Sequence, residues 1–172
     1  TVYAYWIGGV TPPATTASYK VEHYQENLDG TYSVFETENL TGTIGTSVTA
    51  TVKTYEGFHE NTSHLSRIPS GTVLADNSLV LKLYYARNTY TFTFDAQGGT
   101  ISGTPKTLYK YGETLDLPTP VKGTDTFGGW FTGVNGTGTP ITNASVLGTD
   151  VTGDVTVYAY WIGGVTPPAT TA

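Results

Sequence analysis

The residues able to do chemistry in this sequence are few, and the densest group is His59-Glu60-Asn61-Thr62-Ser63-His64. Histidine followed by glutamate invites comparison with a zinc-protease helix, where two histidines four residues apart share one face and the glutamate acts as base. Here the spacing is five, in a segment of strand-and-loop composition, and on a strand positions 59 and 64 point to opposite faces. These two and His23 are expected to be solvated or hydrogen-bonded surface histidines, with no metal between them. The chain has no Cys, which removes disulfides, thiolate metal sites and cysteine nucleophiles.

The carboxylates do not gather either. Eight acids fall in 18–88 and six in 89–172, against five and three basic residues, so each half carries a net charge of −3. A glycosidase needs two carboxylates facing a cleft, and halves this small leave little room for one. Gly133-Val-Asn-Gly136-Thr-Gly138-Thr-Pro140 is glycine-rich, but no Lys-Ser/Thr follows and no helix begins, so it reads as a hairpin or Ω-like loop and not as a phosphate cradle. The Gly-x-Ser-x-Gly elbow of hydrolases is missing. The chain is expected not to be an enzyme and to hold no cofactor.

Lys82 lies in an apolar strand but points away from Leu81 and Leu83, so it is expected to be solvated and not part of an intramolecular Lys–Asn or Lys–Asp isopeptide bond. Asn39, Asn61, Asn135 and Asn143 head Asn-x-Ser/Thr sequons, which a threonine-rich chain produces by composition. The tyrosines are more informative. If Tyr19, Val21 and His23 face inward, Tyr24 lies on the other face; likewise Tyr84 opposes Leu83, and Tyr158 and Tyr160 oppose Val157 and Ala159. Tyr24, Tyr84, Tyr158 and Tyr160 are thus the candidates for contact with a ligand or with a neighbouring domain.

The elements that would carry these residues are strands. Tyr19–Tyr24 turns at Asp29-Gly30 and re-extends through Thr31–Phe35, and Tyr90–Phe94 turns near Gly98-Gly99; each reads as a hairpin opening. Each half closes on an apolar strand, Ser78–Tyr85 and Asp154–Trp161. In these, Leu79, Leu81 and Leu83, and Val155, Val157, Ala159 and Trp161, would face a core. Helix is limited to a turn or two at Thr46–Lys53 and at Asn143–Leu147, since both carry β-branched residues. Four or five strands with at most one short helix in about 70 residues suits a β-grasp arrangement, in which first and last strands lie together in one sheet. The expected fold is mostly β: two small β-grasp-like, ubiquitin-like domains in tandem. Domains of this size are marginal alone.

Composition agrees. Of 172 residues, 34 are Thr and 21 Gly, while 13% are charged, about half the usual ~25%. At a net charge of −6 with eight scattered cations, the chain is a poor ligand for nucleic acid or an anionic membrane. No apolar run approaches the ~18 residues of a membrane span and no charged segment precedes an apolar one at the start of the fragment, so neither a transmembrane helix nor a signal peptide is expected within it.

Residues 1–17 and 156–172 are identical over all seventeen positions, a period of 155 residues. Either a tandem array of near-identical repeats or an overlap at the two ends of the fragment produces this, and both imply an array of beads. The expected organisation is a closing strand of the preceding repeat at 1–6, a linker at 7–17, domains at 18–88 and 89–162, and a Thr/Pro linker at 163–172. The Gly-Gly and Pro-Pro steps make the linker extended, at about 3.1 Å per residue where it is polyproline-like.

Tyr90-Thr-Phe-Thr-Phe-Asp-Ala-Gln-Gly-Gly99, Tyr111-Gly112-Glu-Thr-Leu115, Pro118-Thr-Pro120, Phe127-Gly-Gly-Trp-Phe131 and Val155–Trp161 together resemble the Listeria–Bacteroides repeat, the B-repeat of internalins. Tyr19–Tyr24, Gly45, Tyr55-Glu-Gly-Phe58 and Leu79–Tyr85 look like the mucin-binding-protein type of repeat in Gram-positive adhesins. The resemblance implies β-grasp modules in a long, wall-anchored extracellular protein of a Gram-positive bacterium, with no catalytic residues to carry over. Expected partners are neighbouring identical repeats, and host mucin, glycans or proteins if the repeats also bind. Val2, Tyr3, Ala4, Tyr5 and Trp6 repeat the closing strand and are candidates for self-association by strand exchange.

Overall fold

The computed structural model describes residues 15–163. The strand-exchange candidates Val2–Trp6, most of the linker at 7–17 and nearly all of the linker at 163–172 lie outside the described residues. Eleven strands follow in order: β1 (Thr16–Glu26), β2 (Tyr32–Thr43), β3 (Ser47–Thr49), β4 (Phe58–Glu60), β5 (Ser70–Thr72), β6 (Val80–Arg87), β7 (Thr89–Asp95), β8 (Leu108–Lys110), β9 (Thr126–Phe131), β10 (Pro140–Ile141) and β11 (Val155–Ile162). A single 3-10 turn at Val134–Gly136 is the only helical element among the described residues. The helical turns expected at Thr46–Lys53 and Asn143–Leu147 do not form. The first segment instead gives β3 and an extended stretch, as its Thr and Val residues favour, and the second gives reverse turns.

Two compact units are present. The first holds the described residues through Gln25, Tyr32–Lys53 and Glu60–Tyr85; the second holds Glu26–Thr31, Thr54–His59 and the described residues from Ala86 onward. The units therefore interleave in sequence more than a cut at 88/89 implies. β1 begins at Thr16 and buries Ala17, so the last two residues of the expected linker belong to a strand.

In the first unit β2, β1 and β6 are neighbours in that order, with β3 and β5 forming a separate antiparallel pair. β1 and β6 are parallel, with register His23 to Leu83, Tyr24 to Tyr84 and Gln25 to Tyr85. Period-two alternation buries Tyr19, Val21, His23, Leu81, Leu83 and Tyr85 on one face.

In the second unit the order is β10-β9-β11-β7-β8. β11 is parallel to β7 through Val155–Tyr158 and antiparallel to β9 through Tyr158–Ile162. The tight hairpin expected at Gly98-Gly99 is absent. β7 pairs antiparallel with β8 only after a long connection, and the glycine turn leads instead to a bridge between Thr100 and Val121. The β9–β11 register shifts between Tyr160 and Trp161, so Ala159 faces Trp130 and Trp161 faces Phe127. This bulge puts two aromatics three residues apart on the same side of β9, with ring centroids 5.5 Å apart. They pack on a core of Tyr90, Phe92, Tyr109, Leu115, Ile141, Leu147, Val151, Val157 and Ala159. The Trp130 indole N–H donates to Pro118 O (2.7 Å) and the Tyr109 hydroxyl to Asp116 O (2.7 Å), so both polar tips are satisfied.

Candidate functional site

The first candidate lies on the outer face of the β1–β6 pair. Parallel register makes Tyr24 and Tyr84 direct neighbours on that face, and their rings stack at 4.7 Å. His64 stacks on Tyr84 at 3.7 Å, and Tyr32 meets Tyr84 edge-on at 5.4 Å. The turn after β4 delivers His64, because the Asn61 N–H donates to Tyr84 O (2.7 Å) and the Asn61 side-chain amide to the Tyr32 hydroxyl (3.0 Å). Tyr84 is consequently buried at 5% exposure instead of lying open. With Tyr24 on one side and His64 on the other, its ring offers no free face for a sugar. Tyr24 keeps its edge toward solvent, and its hydroxyl donates to Glu22 Oε2 (2.7 Å). That bond, aided by burial, pushes the phenol up to about 12. Lys82 is not simply solvated: its ammonium lies 5.7 Å above the Tyr24 ring and 4.0 Å from Glu22.

On the inner face lies a histidine that the sequence placed among surface residues. His23 is fully buried. Its Nδ1 is 3.0 Å from the Tyr85 hydroxyl and its Nε2 is 2.7 Å from Glu38 Oε1. The Lys53 N–H donates to the Tyr85 oxygen (3.1 Å), which leaves the phenol hydrogen to point at Nδ1, and Nε2–H then donates to the carboxylate. Lys53 Nζ closes the set at 2.5 Å from Glu36 and 3.3 Å from Glu38. The bonds from His23 and Lys53 hold Glu38 below the usual carboxylate value against a smaller opposing effect of burial. Burial raises Tyr85. A Tyr–His–Glu chain has the parts of a proton relay, but its imidazole is sealed from solvent and faces no substrate cleft. Its chemistry is that of a polar core anchor.

The other two histidines stand apart from each other. His59 Nδ1 is 2.9 Å from Asn88 Oδ1, and His64 Nδ1 accepts from the Ser66 N–H (3.3 Å). Glu60, between them in sequence, accepts two bonds from the Arg67 guanidinium, at 2.9 and 2.6 Å. His59, Glu60 and His64 are thus each engaged by a different partner within the fold. Among the described residues no group of three His, Asp or Glu side chains is set to hold a metal ion.

In the second unit Tyr158 and Tyr160 share the outer face of β11, both half-buried. Tyr160 packs edge-on against Phe131 at 5.8 Å and lies over Gly128 and Gly136, where an added Cβ would come within 2.6 and 3.0 Å of its ring. Trp161 sits over Gly99 in the same way, its indole N–H donating to Ala96 O (2.9 Å). The sequence reading missed His64 and Tyr32 beside the first tyrosine pair, and Gln97, Asn135 and Trp161 beside the second. The sequence signal for the second group is the glycines that lie against Tyr160 and Trp161: Gly128, Gly136 and Gly99.

The described residues are almost wholly β, with first and last strands parallel in each unit and aromatic side chains packed on the outer faces of those strands. Residues 90–160 match the family model of the Listeria-Bacteroides repeat domain. The match lies within the second unit. No curated protein matches the chain. Among the described residues no helix is long and apolar enough to cross a membrane.

Proposed function

We infer that the chain is a spacer repeat of an extracellular bacterial surface protein, one bead of a tandem array that holds a distal domain away from the cell wall. The observation that supports this most is the parallel pairing of the first and last strands in each unit, β1 with β6 and β7 with β11. Parallel neighbours place the start of one strand and the end of the other at opposite ends of the ladder. Force on the two ends of a unit therefore loads every inter-strand bond together, in shear.

In this reading each unit is a β-grasp-type module. Residues 18–86 are a mucin-binding-protein-type repeat of a Gram-positive adhesin, and the chain carries no catalysis and no cofactor. The Listeria-Bacteroides match, a domain typical of extracellular surface proteins, and the 155-residue period both support it. Single-molecule pulling of a tandem array is expected to give a regular sawtooth with uniform increments. A featureless extension at low force would overturn the reading.

A second reading is assembly by strand exchange. β11 lies between β9 and β7 and makes most of its ladder through residues 156–162, whose sequence recurs at 1–7. A strand of that sequence from another copy would meet the same contacts. Deleting residues 1–7 should then convert an assembling chain to a monomer, and unchanged assembly after deletion rules the exchange out.

A further inference from the structure

We propose that the second unit carries a binding site for a single neutral saccharide ring, in the polar pocket at the C-terminal end of β11. This goes beyond the spacer reading and does not depend on it. The pocket encloses about 260 Å³ and is lined by Gln97, Lys122, Asp125, Asn135, Tyr160 and Trp161. Its walls come from the turn after β7, the turn before β9 and the 3-10 turn before β10, with β11 supplying the aromatic side.

Two properties define the chemistry. The first is charge: Lys122 Nζ lies 3.8 Å from Asp125 Oδ2 and 5.7 Å over the Trp161 ring, so the only ionic groups in the lining compensate each other and the site suits an uncharged ligand. The second is hydrogen-bonding capacity left unspent. The side-chain amides of Gln97 and Asn135 and the hydroxyl of Tyr160 make no hydrogen bond among the described residues. An amide presents a donor and an acceptor side by side, which matches adjacent hydroxyls that each donate and accept. The volume falls below the roughly 300–1,000 Å³ of a site for a drug-sized ligand, which limits it to one ring.

Backbone conformation supports the assignment independently. Among the described residues only three non-glycine positions have positive φ, and two of them line this one pocket: Gln97 at +48° and Asn135 at +57°. Each is followed by a glycine that is itself left-handed, Gly98 and Gly136. Glycine at 97 and 135 would meet the backbone requirement with less strain, yet the chain holds an amide at both places.

The test is a ¹H–¹⁵N NMR titration of the full 172-residue chain with D-galactose, D-mannose and N-acetyl-D-glucosamine, following the Gln97 and Asn135 side-chain amides and the Trp161 indole. The three signals are expected to move together and saturate with at least one sugar. Gln97→Gly and Asn135→Gly, which accept the left-handed backbone and so retain the fold, should each weaken that binding about tenfold or more. The backbone spectrum of each variant checks that the fold is retained. The proposal is overturned by no saturable movement with any of the three sugars, by equal affinity in the glycine variants, or by movement with a Gly-Thr peptide and none with the sugars. None of these outcomes bears on the pulling experiment, so the two readings fail separately.

Discussion

The two units solve the same problem, stabilising a small parallel-closed sheet without disulfides, by different chemistry. The first puts a fully buried histidine among Val21, Leu81 and Leu83 and satisfies it with Tyr85 and Glu38, while the outer face stacks Tyr24, Tyr84 and His64. The second keeps its core apolar and aromatic, and directs the polar tips of Trp130 and Tyr109 onto backbone carbonyls. Large aromatics bury much area per residue, so a few of them serve where a small domain lacks many aliphatics. A buried polar network whose members are hydrogen-bonded to one another rigidifies the core and specifies which strands meet.

The largest expected difference comes from removing the anchor of the aromatic core. Trp130→Ala should cost the second unit about 3–5 kcal/mol and unfold it, with the first unit's transition unmoved. Thermal denaturation followed by the NMR signals of each unit measures this, and joint unfolding of both units would break the comparison.

Next is His23→Ala, which leaves a cavity and strips a bond from both Tyr85 and Glu38. A loss of roughly 2–4 kcal/mol, confined to the first unit, should appear in urea titration.

A mechanical contrast follows. The β1–β6 register extends over six pairs and the β7–β11 register over four. Within each repeat of a pulled array the second unit should yield at lower force than the first, giving two alternating peak heights. Equal heights would show that ladder length does not set resistance.

The smallest effects are in pH. Tyr24 holds its proton up to about 12, against an ordinary value of 10.0 when unfolded. Stability of the first unit is therefore fully present below pH 10 and falls as pH rises through that window. Tyr24→Phe should flatten this slope in alkaline denaturation followed by circular dichroism. Glu38 in the first unit and Glu26 and Glu113 in the second are held below their ordinary 4.5. Burial opposes the shift of the latter two and is outweighed at Glu26 by Lys110 and Arg87 and at Glu113 by Lys106 and Lys110. Both units should accordingly lose stability as pH falls below about 4.5, and neither should stand out.

Much of this was legible in the sequence wherever the signal was local. Alternation along β1, β6, β7 and β11 gave the inward sets, and Asp29-Gly30 gave the first turn, where the Asp29 carboxylate accepts the Thr31 N–H (2.9 Å). What was not legible depended on distant partners. His23 reads as polar until Glu38 and Tyr85 are brought to it, and Tyr84 reads as exposed until residues 61–64 fold over it. The turn at Gly98-Gly99 resembled a hairpin because a glycine pair shows where the chain bends but not which strand it will meet. The saccharide-sized pocket was hidden for the same reason: Gln97, Lys122, Asn135 and Trp161 converge from four separated segments.

The bulge at Gly128 and Gly129 has one more consequence. A plain antiparallel ladder can slide by two residues and keep every side chain on its proper face. Here the extra residue on β9 fits at one position only, between the partners of Tyr160 and Trp161, with the Tyr160 ring resting over Gly128. Any slide would drive that ring into a side chain or leave the bulge without its place. In the spacer role proposed above, the pairing would act as a notch that stops the strands from creeping past one another under a sustained load, so that the ladder holds its length until it gives way as a whole.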